Sequence, residues 1–294
     1  SQEFVGTVVK VDNIGDPTKI VSTSLRVTKD TVNLGIARNA VRVIEASEVF
    51  RNGMRFQTGA GGISLAVTHY LGERMKARGV VGSFGMGGTT ESLVKLLEQG
   101  LIRKILTVQA FDQYAIRSLL NDVNHIEIGA GFYANPHNRG TAVNLLDVVV
   151  LGATEIDVNF NVNVNTHSDG ILQYATGGHS DTAAGAKLTI ITTPLIRGRV
   201  PVVVDDVVAV TTPGESVDVL VTDYGIAVNP RRQDLVDQLK AARIPLKSIE
   251  ELRDLAYGIT GRPRKPEFTD KIVALIEYRD GTLIDVVREV APEG

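Results

Sequence analysis

Residues 155–165 read Glu-Ile-Asp-Val-Asn-Phe-Asn-Val-Asn-Val-Asn, a strict alternation of polar and apolar side chains. On a single β-strand this pattern sends Ile156, Val158, Phe160, Val162 and Val164 to one face, and Glu155, Asp157 and the asparagines to the other. Asparagine forms strands poorly, so a ladder of it needs a reason. One reading is a solvated sheet edge. The other is a carboxylate, Glu155, aimed with Asn159 into a polar crevice of the kind that binds ligands at strand ends. Downstream, Thr176-Gly177-Gly178-His179-Ser180-Asp181 pairs two glycines whose bare N–H groups could donate to a developing oxyanion. A turn would use the same residues.

Two further glycine runs follow apolar segments. Gly59-Ala60-Gly61-Gly62 and Gly85-Met86-Gly87-Gly88 each precede a helix-periodic stretch, where helix N-termini favour anions. Neither is a Walker A or a dinucleotide fingerprint, since Gly-Lys-Ser/Thr and the third spaced glycine are missing. Tight strand-to-helix turns would also account for them. The histidines at 69, 125, 137, 167 and 179 have no metal-ligand spacing, and no metal site is expected.

The elements that must carry these groups alternate. A helix is expected over 33–47, then a strand from 54, the first glycine loop and a helix over 63–76. A strand over 80–84, the second glycine loop and a helix from 90 repeat the scheme, and a further strand spans 105–110. The β-branched runs 146–150, 188–192, 200–204 and 217–221 read as central strands, 231–242 as a helix, and 258–267 as a loop. The last segments, 273–278 and 283–290, flank Asp280-Gly281 and form a hairpin. The fold class is therefore α/β, an open, mostly parallel sheet with helices on both faces. Residues 1–30 read as connector strands, and 31–294 as the main domain.

Composition narrows the function. The chain has 294 residues, 43% of them hydrophobic, and a net charge of −3 with no cysteine. Thiolate nucleophiles and Cys-ligated zinc are excluded. No basic run interleaves with aromatics, so nucleic acid is not an expected partner. No apolar run reaches membrane-span length, and a cytoplasmic location is expected.

The strings QTGAGGISLAV (57–67), SFGMGG (83–88), YANP (133–136), EIDVNFNVNV (155–164), GGHSDTAAGA (177–186) and VDVLVTDYGIAVNPRRQDL (217–235) closely resemble the citrate lyase α-subunit. More distantly, the glutamate-bearing strand and the glycine pair are similar to acetyl-CoA hydrolases and four-carbon CoA-transferases. The resemblance implies a CoA-transferase-like fold, of the sugar-phosphate isomerase and CoA-transferase type. It also implies an exchange in which acetyl-thioester and citrate give citryl-thioester and acetate. The family's α-subunit is longer, and this chain is expected to begin near the link between its two similar domains.

The resemblance implies no permanently bound cofactor. The thioester substrate is CoA or the phosphoribosyl-dephospho-CoA arm of an acyl carrier (γ) subunit, and a lyase (β) subunit cleaves the citryl product. A homo-oligomer is expected. Glu155, Gly177 and Gly178 take the catalytic positions, with Glu155 either forming an acyl-anhydride and glutamyl thioester or orienting the substrate. Gly59, Gly61, Gly62, Gly85, Gly87, Gly88, Asn159, Ser180 and Asp181 are expected around the substrate. Arg197 and Arg199 lie near enough in sequence to meet citrate, although a charged loop between two buried strands is the favoured account of them. Alternatives within the fold are an acyl-CoA hydrolase, another carboxylate CoA-transferase, and a non-catalytic domain that holds a phosphate ligand.

Overall fold

A computed structural model describes residues 5–16, 27–59 and 61–292. Its first half runs α1 (Thr31–Ala46), β1 (Arg55–Thr58), α2 (Gly62–Arg78), β2 (Gly82–Thr89), α3 (Glu91–Glu98), β3 (Ile102–Ala110), α4 (Gln113–Asn121), β4 (His125–Glu127) and α5 (Ala130–Ala134). The second half begins with β5 (Val148–Leu151), β6 (Glu155–Asp157), β7 (Val162–Asn163), α6 (His179–Gly185) and β8 (Leu188–Thr192). It continues through β9 (Ile196–Arg197), β10 (Val200–Pro201), β11 (Val203–Val204), β12 (Val219–Val221), β13 (Ile226–Val228), α7 (Gln233–Ala241) and α8 (Ile249–Thr260), and closes with the hairpin β14 (Phe268–Glu277) and β15 (Leu283–Val290).

The main sheet has eight strands in the order β13-β12-β8-β5-β1-β2-β3-β4. All its pairings are parallel except that of β12 with the edge strand β13. From β1 the chain builds outward through β2, β3 and β4, then returns to place β5 on the other side. That reversal makes the carboxyl ends of β1 and β5 the switch point, where crevices open in such sheets.

One face is covered by helices as expected. Ile36, Ala40, Val43 and Ile44 of α1 and Val67, Leu71 and Met75 of α2 share a core with Val148, Val150, Leu188 and Ile190 of the sheet. Their three- and four-residue spacing gives each helix one apolar stripe. The other face departs from the expectation. Val149, Leu151, Ile191 and Leu220 pack against Ile156, Val162 and Val203 of a small three-stranded sheet β11-β6-β7, against Phe160 in its β6–β7 turn, and against Ile249 and Leu252 of α8. A β-layer therefore does part of what helices were expected to do.

Several local readings change. The run 200–204 is not a central strand: it splits into β10, paired antiparallel with β9, and β11, paired parallel with β6. The alternating segment 155–165 is a hairpin, not one long strand. Asp157 folds it by accepting from the Asn159 and Asn161 backbone N–H groups at 2.8 and 3.0 Å, and Phe160 turns at φ +64°. Residues 5–16 are exposed and contain no strand; the remainder of the connector reading, over 1–4 and 17–26, lies outside the described residues.

One carboxylate ties the strand starts together. Asp147, 2% exposed, accepts from the Arg55 N–H at 2.9 Å, from Arg55 Nε and Nη2 at 2.8 and 3.0 Å, and from Lys187 Nζ at 2.9 Å. Burial alone would raise its pKa, but the Arg55 and Lys187 hydrogen bonds outweigh that and hold it at about 2. A depressed carboxylate pKa contributes stability that is complete above the unfolded value near 4 and fades as pH falls toward 2. Asp147→Asn is expected to lose about 3–5 kcal/mol at pH 7, the usual result of breaking a buried pair from one side. Urea denaturation at pH 7 and pH 2.5 should show the gap between parent and variant narrowing in acid.

Candidate active site

The asparagines that looked out of place in a strand are the internal wiring of the small sheet. Asn163 Nδ2 donates to Glu155 Oε2 at 3.0 Å and to Thr166 Oγ1 at 2.9 Å, while its Oδ1 accepts from the Asn165 N–H at 3.0 Å. Asn165 in turn accepts from Thr211 Oγ1 at 2.6 Å and donates to the Tyr174 carbonyl at 2.9 Å. Asn161 Oδ1 accepts from Gly214 N–H at 2.9 Å. An amide that can donate and accept at once is what such a buried relay needs. The solvated-edge reading therefore fails for Asn163 and Asn165, and Asn159 alone of these asparagines is exposed, at the hairpin turn.

Glu155 is 2% exposed. Its Oε2 also accepts from the Val208 N–H at 3.1 Å, so the carboxylate is held from two sides. It lines a cavity of about 110 Å³ with Ser168, Val208 and Tyr257, bordered by the loop that carries Arg262, Arg264 and Lys265. Ser168 also borders a neighbouring pocket of about 360 Å³, walled by His167, Asp169 and Arg197. Arg197 donates there to the Ala153 carbonyl at 2.9 Å.

Gly178 marks a second cluster. It caps α6, and a Cβ on it would stand 2.6 Å from the Tyr133 hydroxyl. That hydroxyl receives Gln57 Nε2 at 3.0 Å, and Gln57 in turn packs where a Cβ on Gly87 would fall. Burial, opposed in part by Gln57, raises the Tyr133 pKa to about 12, which keeps the phenol a proton donor. The carboxyl end of β1, the end of β2 and the start of α6 thus converge on one phenol. Gly177, beside it, is exposed and takes φ +54°. Asp181 follows on α6, with Arg279 Nε 3.4 Å from its Oδ1. Burial raises the Asp181 pKa, against the pull of Arg279. Ser180 between them is buried.

The glycine runs fare differently. Gly59, Gly61 and Gly62 form the expected turn between β1 and α2, with the Gly59 N–H bonded to the Val150 carbonyl at 2.9 Å. Gly85, Gly87 and Gly88 do not form a loop: they lie within β2. Close packing is the reason, since a Cβ would meet Leu93 at 2.5 Å from Gly85 and would run into the Phe111 ring from Gly88. Glu155 and the glycine pair are joined through the asparagine relay, whose Asn165 reaches Thr176 Oγ1 at 3.4 Å. Sequence reasoning passed over Gln57, Arg279 and the roles of Tyr133 and His179. The string YANP contained the tyrosine, but nothing in the spacing pointed to its partner 76 positions away.

A match to the family model described as the citrate lyase alpha subunit spans residues 1–290. The chain belongs to the citrate lyase α-subunit family. The citrate lyase alpha chain of Klebsiella pneumoniae is 53% identical over 290 residues, which is 99% of this chain and 57% of the relative. The chain thus spans little more than half the length of such relatives. A structure from Streptococcus mutans, named as an alfa subunit of citrate lyase in complex with citrate, superposes with a TM-score of 0.92 at 50% identity. It covers 96% of this chain and 56% of that one. The fold is also that of 4-hydroxybutyrate CoA-transferase from Porphyromonas gingivalis, at TM-score 0.50 and 18% identity over 78% of this chain and 55% of that one. Among the described residues, no helix is long and apolar enough to cross a membrane, and no group of His, Asp or Glu is arranged to hold a metal.

Two measurements test this geometry. Gly178→Ala should cost about 1–3 kcal/mol through overpacking against Tyr133, and Gly177→Ala about 1 kcal/mol through its left-handed backbone; melting temperatures check both. His179 bonds the Gly152 carbonyl at 2.9 Å and Thr212 Oγ1 at 2.7 Å. Burial lowers its pKa to about 4, only partly countered by that carbonyl. Its contribution to stability is therefore complete above the unfolded value near 6.5 and declines as pH falls toward 4. Replacing it by Gln should flatten the stability profile between those limits, a window that begins where that of Asp147 ends.

Proposed function

We propose that this chain carries citrate CoA-transferase chemistry, exchanging acetate for citrate on a carrier-protein or CoA thioester. The observation that supports it best is its 50% identity to a structure named for its complex with citrate, over 96% of this chain. The thioester arm belongs to the carrier partner. The carrier and lyase subunits of a citrate lyase complex are its proposed partners, the cytoplasm its proposed location, and a homo-oligomer its proposed state.

A carboxylate attacks the thioester carbonyl, and negative charge grows on the carbonyl oxygen. Donors that already point there lower the barrier, because they strengthen as charge develops. The N–H groups of Gly177 and Gly178 fill that role in this reading, with Gly177 open to solvent on the approach side. Glu155 is the group that either attacks the acetyl thioester itself or orients citrate to do so. Its two fixed hydrogen bonds suit both, since a nucleophile and an orienting group alike must be held in place. Gly61 and Gly62, at the mouth of the switch point, contribute backbone N–H groups toward the arm, while Gly59, its N–H held by the Val150 carbonyl, shapes the turn, and Ser180 and Asp181 line the acyl side. Gly87 and Gly88 support the crevice by letting Gln57 and Phe111 approach.

The direct test mixes the chain with acetyl-CoA and labelled citrate, with and without the additional segment of the longer relatives. Citryl-CoA is expected; labelled citrate left unconverted while acetyl-CoA is hydrolysed would assign water as acceptor. Glu155→Gln should lose at least about two orders of magnitude of turnover while retaining an acceptor for Asn163 and Val208. Glu155→Ala should also lose about 1–3 kcal/mol of stability, because it strands those buried donors. Borohydride distinguishes the routes: inactivation after preincubation with acetyl-CoA alone identifies a glutamyl thioester, whereas full survival identifies direct attack by citrate.

A further inference from the structure

The C-terminal hairpin is loosely integrated with the rest of the chain. Its strands pair with each other, and most of β14 is exposed. A small apolar cluster of Ile276, Val287 and Ala209 fastens it to the body, together with the Val210 N–H, which donates to Asp285 Oδ2 at 2.7 Å. Yet its tip is built with care. Gly281 takes φ +87°, and Asp280 accepts from the Thr282 N–H at 3.0 Å, closing the turn. The tip residue Arg279 is turned inward, its side chain only 13% exposed.

That arginine is under-satisfied. Its Nε and Nη2 are buried and make no hydrogen bond among the described residues, and its ion-pair contact is the long one to Asp181. Burying a guanidinium without hydrogen bonds is costly, and a loosely attached hairpin could easily have left it in water. The place it occupies is the first turn of α6, directly after Gly177 and Gly178. A planar fork with free donors beside a proposed reacting centre is suited to a carboxylate, which it can grip with two parallel bonds. The phosphates of a thioester arm lie at the far end of the pantetheine chain, so an anion bound here is the acyl acceptor.

We propose that Arg279 is a substrate-binding residue, carried to the crevice by the hairpin tip to hold a carboxylate of the tricarboxylate acceptor. This rests on the citrate reading above. Asp181 is its resting partner, and a side-chain rotation exchanges that carboxylate for the substrate's.

Calorimetry with citrate and with acetyl-CoA, alongside KM for each, tests it on the parent, Arg279→Gln and Arg279→Lys. The Gln variant should bind citrate about 10- to 100-fold more weakly, the range for losing one charge-assisted hydrogen bond, with a much smaller change for acetyl-CoA. The Lys variant, which keeps the charge but not the fork, should fall between, and it decides the matter if the Gln variant does not fold. Citrate affinity within about twofold of the parent in these variants, or equal losses for both substrates, would overturn the proposal. A parent that binds no citrate would overturn the citrate reading itself.

Discussion

Asp147 fixes the starts of three strands with one side chain. It bonds the backbone and guanidinium of Arg55, the first residue of β1, and the ammonium of Lys187 ahead of β8, while its own carbonyl accepts from the Leu188 N–H at 3.1 Å. Parallel strands have no hairpin turn to set their register, so an anchor at one end has to do it. β1, β5 and β8 have only four or five residues each, so the opposite ends lie about 13–17 Å away. A slip at Asp147 would therefore reach the switch point with little chance of correction along the way. The glycine turn after β1, the Gly152 carbonyl that holds His179, and the start of β6 all depend on that register.

Local period made part of the fold legible in the sequence. The helices over 33–47 and 63–76, the central strands over 146–150 and 188–192, and the hairpin about Asp280-Gly281 declare themselves through spacing and turn chemistry. The segment 155–165 misled because alternation is a necessary sign of a strand but not a sufficient one. Asp157 competes for the backbone N–H groups of Asn159 and Asn161, and side-chain capture of this kind outweighs a two-residue period. The failure of 200–204 as a central strand has a similar cause: Pro201 removes a donor, confining it to an edge position. The two-stranded pair of β10 with β9, and the edge of the small sheet at β11, are where such a run can go.

The site was legible where one stretch of chain carries it and hidden where distant stretches meet. Glu155, Gly177 and Gly178 stand out in their own windows, and the family strings made them more conspicuous. Gln57, Tyr133 and Arg279 have no local peculiarity; they matter because β1, α5 and the hairpin tip converge on the start of α6. Glycine at 85, 87 and 88 was read as a loop between strand and helix, when its use is to make room. Without side chains at these positions of β2, Leu93 of α3, the Gln57 amide and the Phe111 ring come close to the sheet.

The two halves of the crevice are built on opposite principles. Around Glu155 every polar partner is satisfied: Asn163 and Val208 donate to the carboxylate, Thr166 and Asn165 complete Asn163, and the network is closed over a fully buried strand pair. Such a network is rigid, and rigidity is what a group needing close aim requires. Around Asp181 and Arg279 the polar groups are left short of partners, and the element that brings the arginine is loosely held to the body. A carboxyl group whose pKa burial has raised and a guanidinium whose Nε and Nη2 make no hydrogen bond among the described residues form a poor pair, and poor pairs are readily exchanged for better ones. The rigid side is therefore where position is preset, and the under-satisfied side is where, in the proposed reading, an incoming carboxylate gains the most by binding.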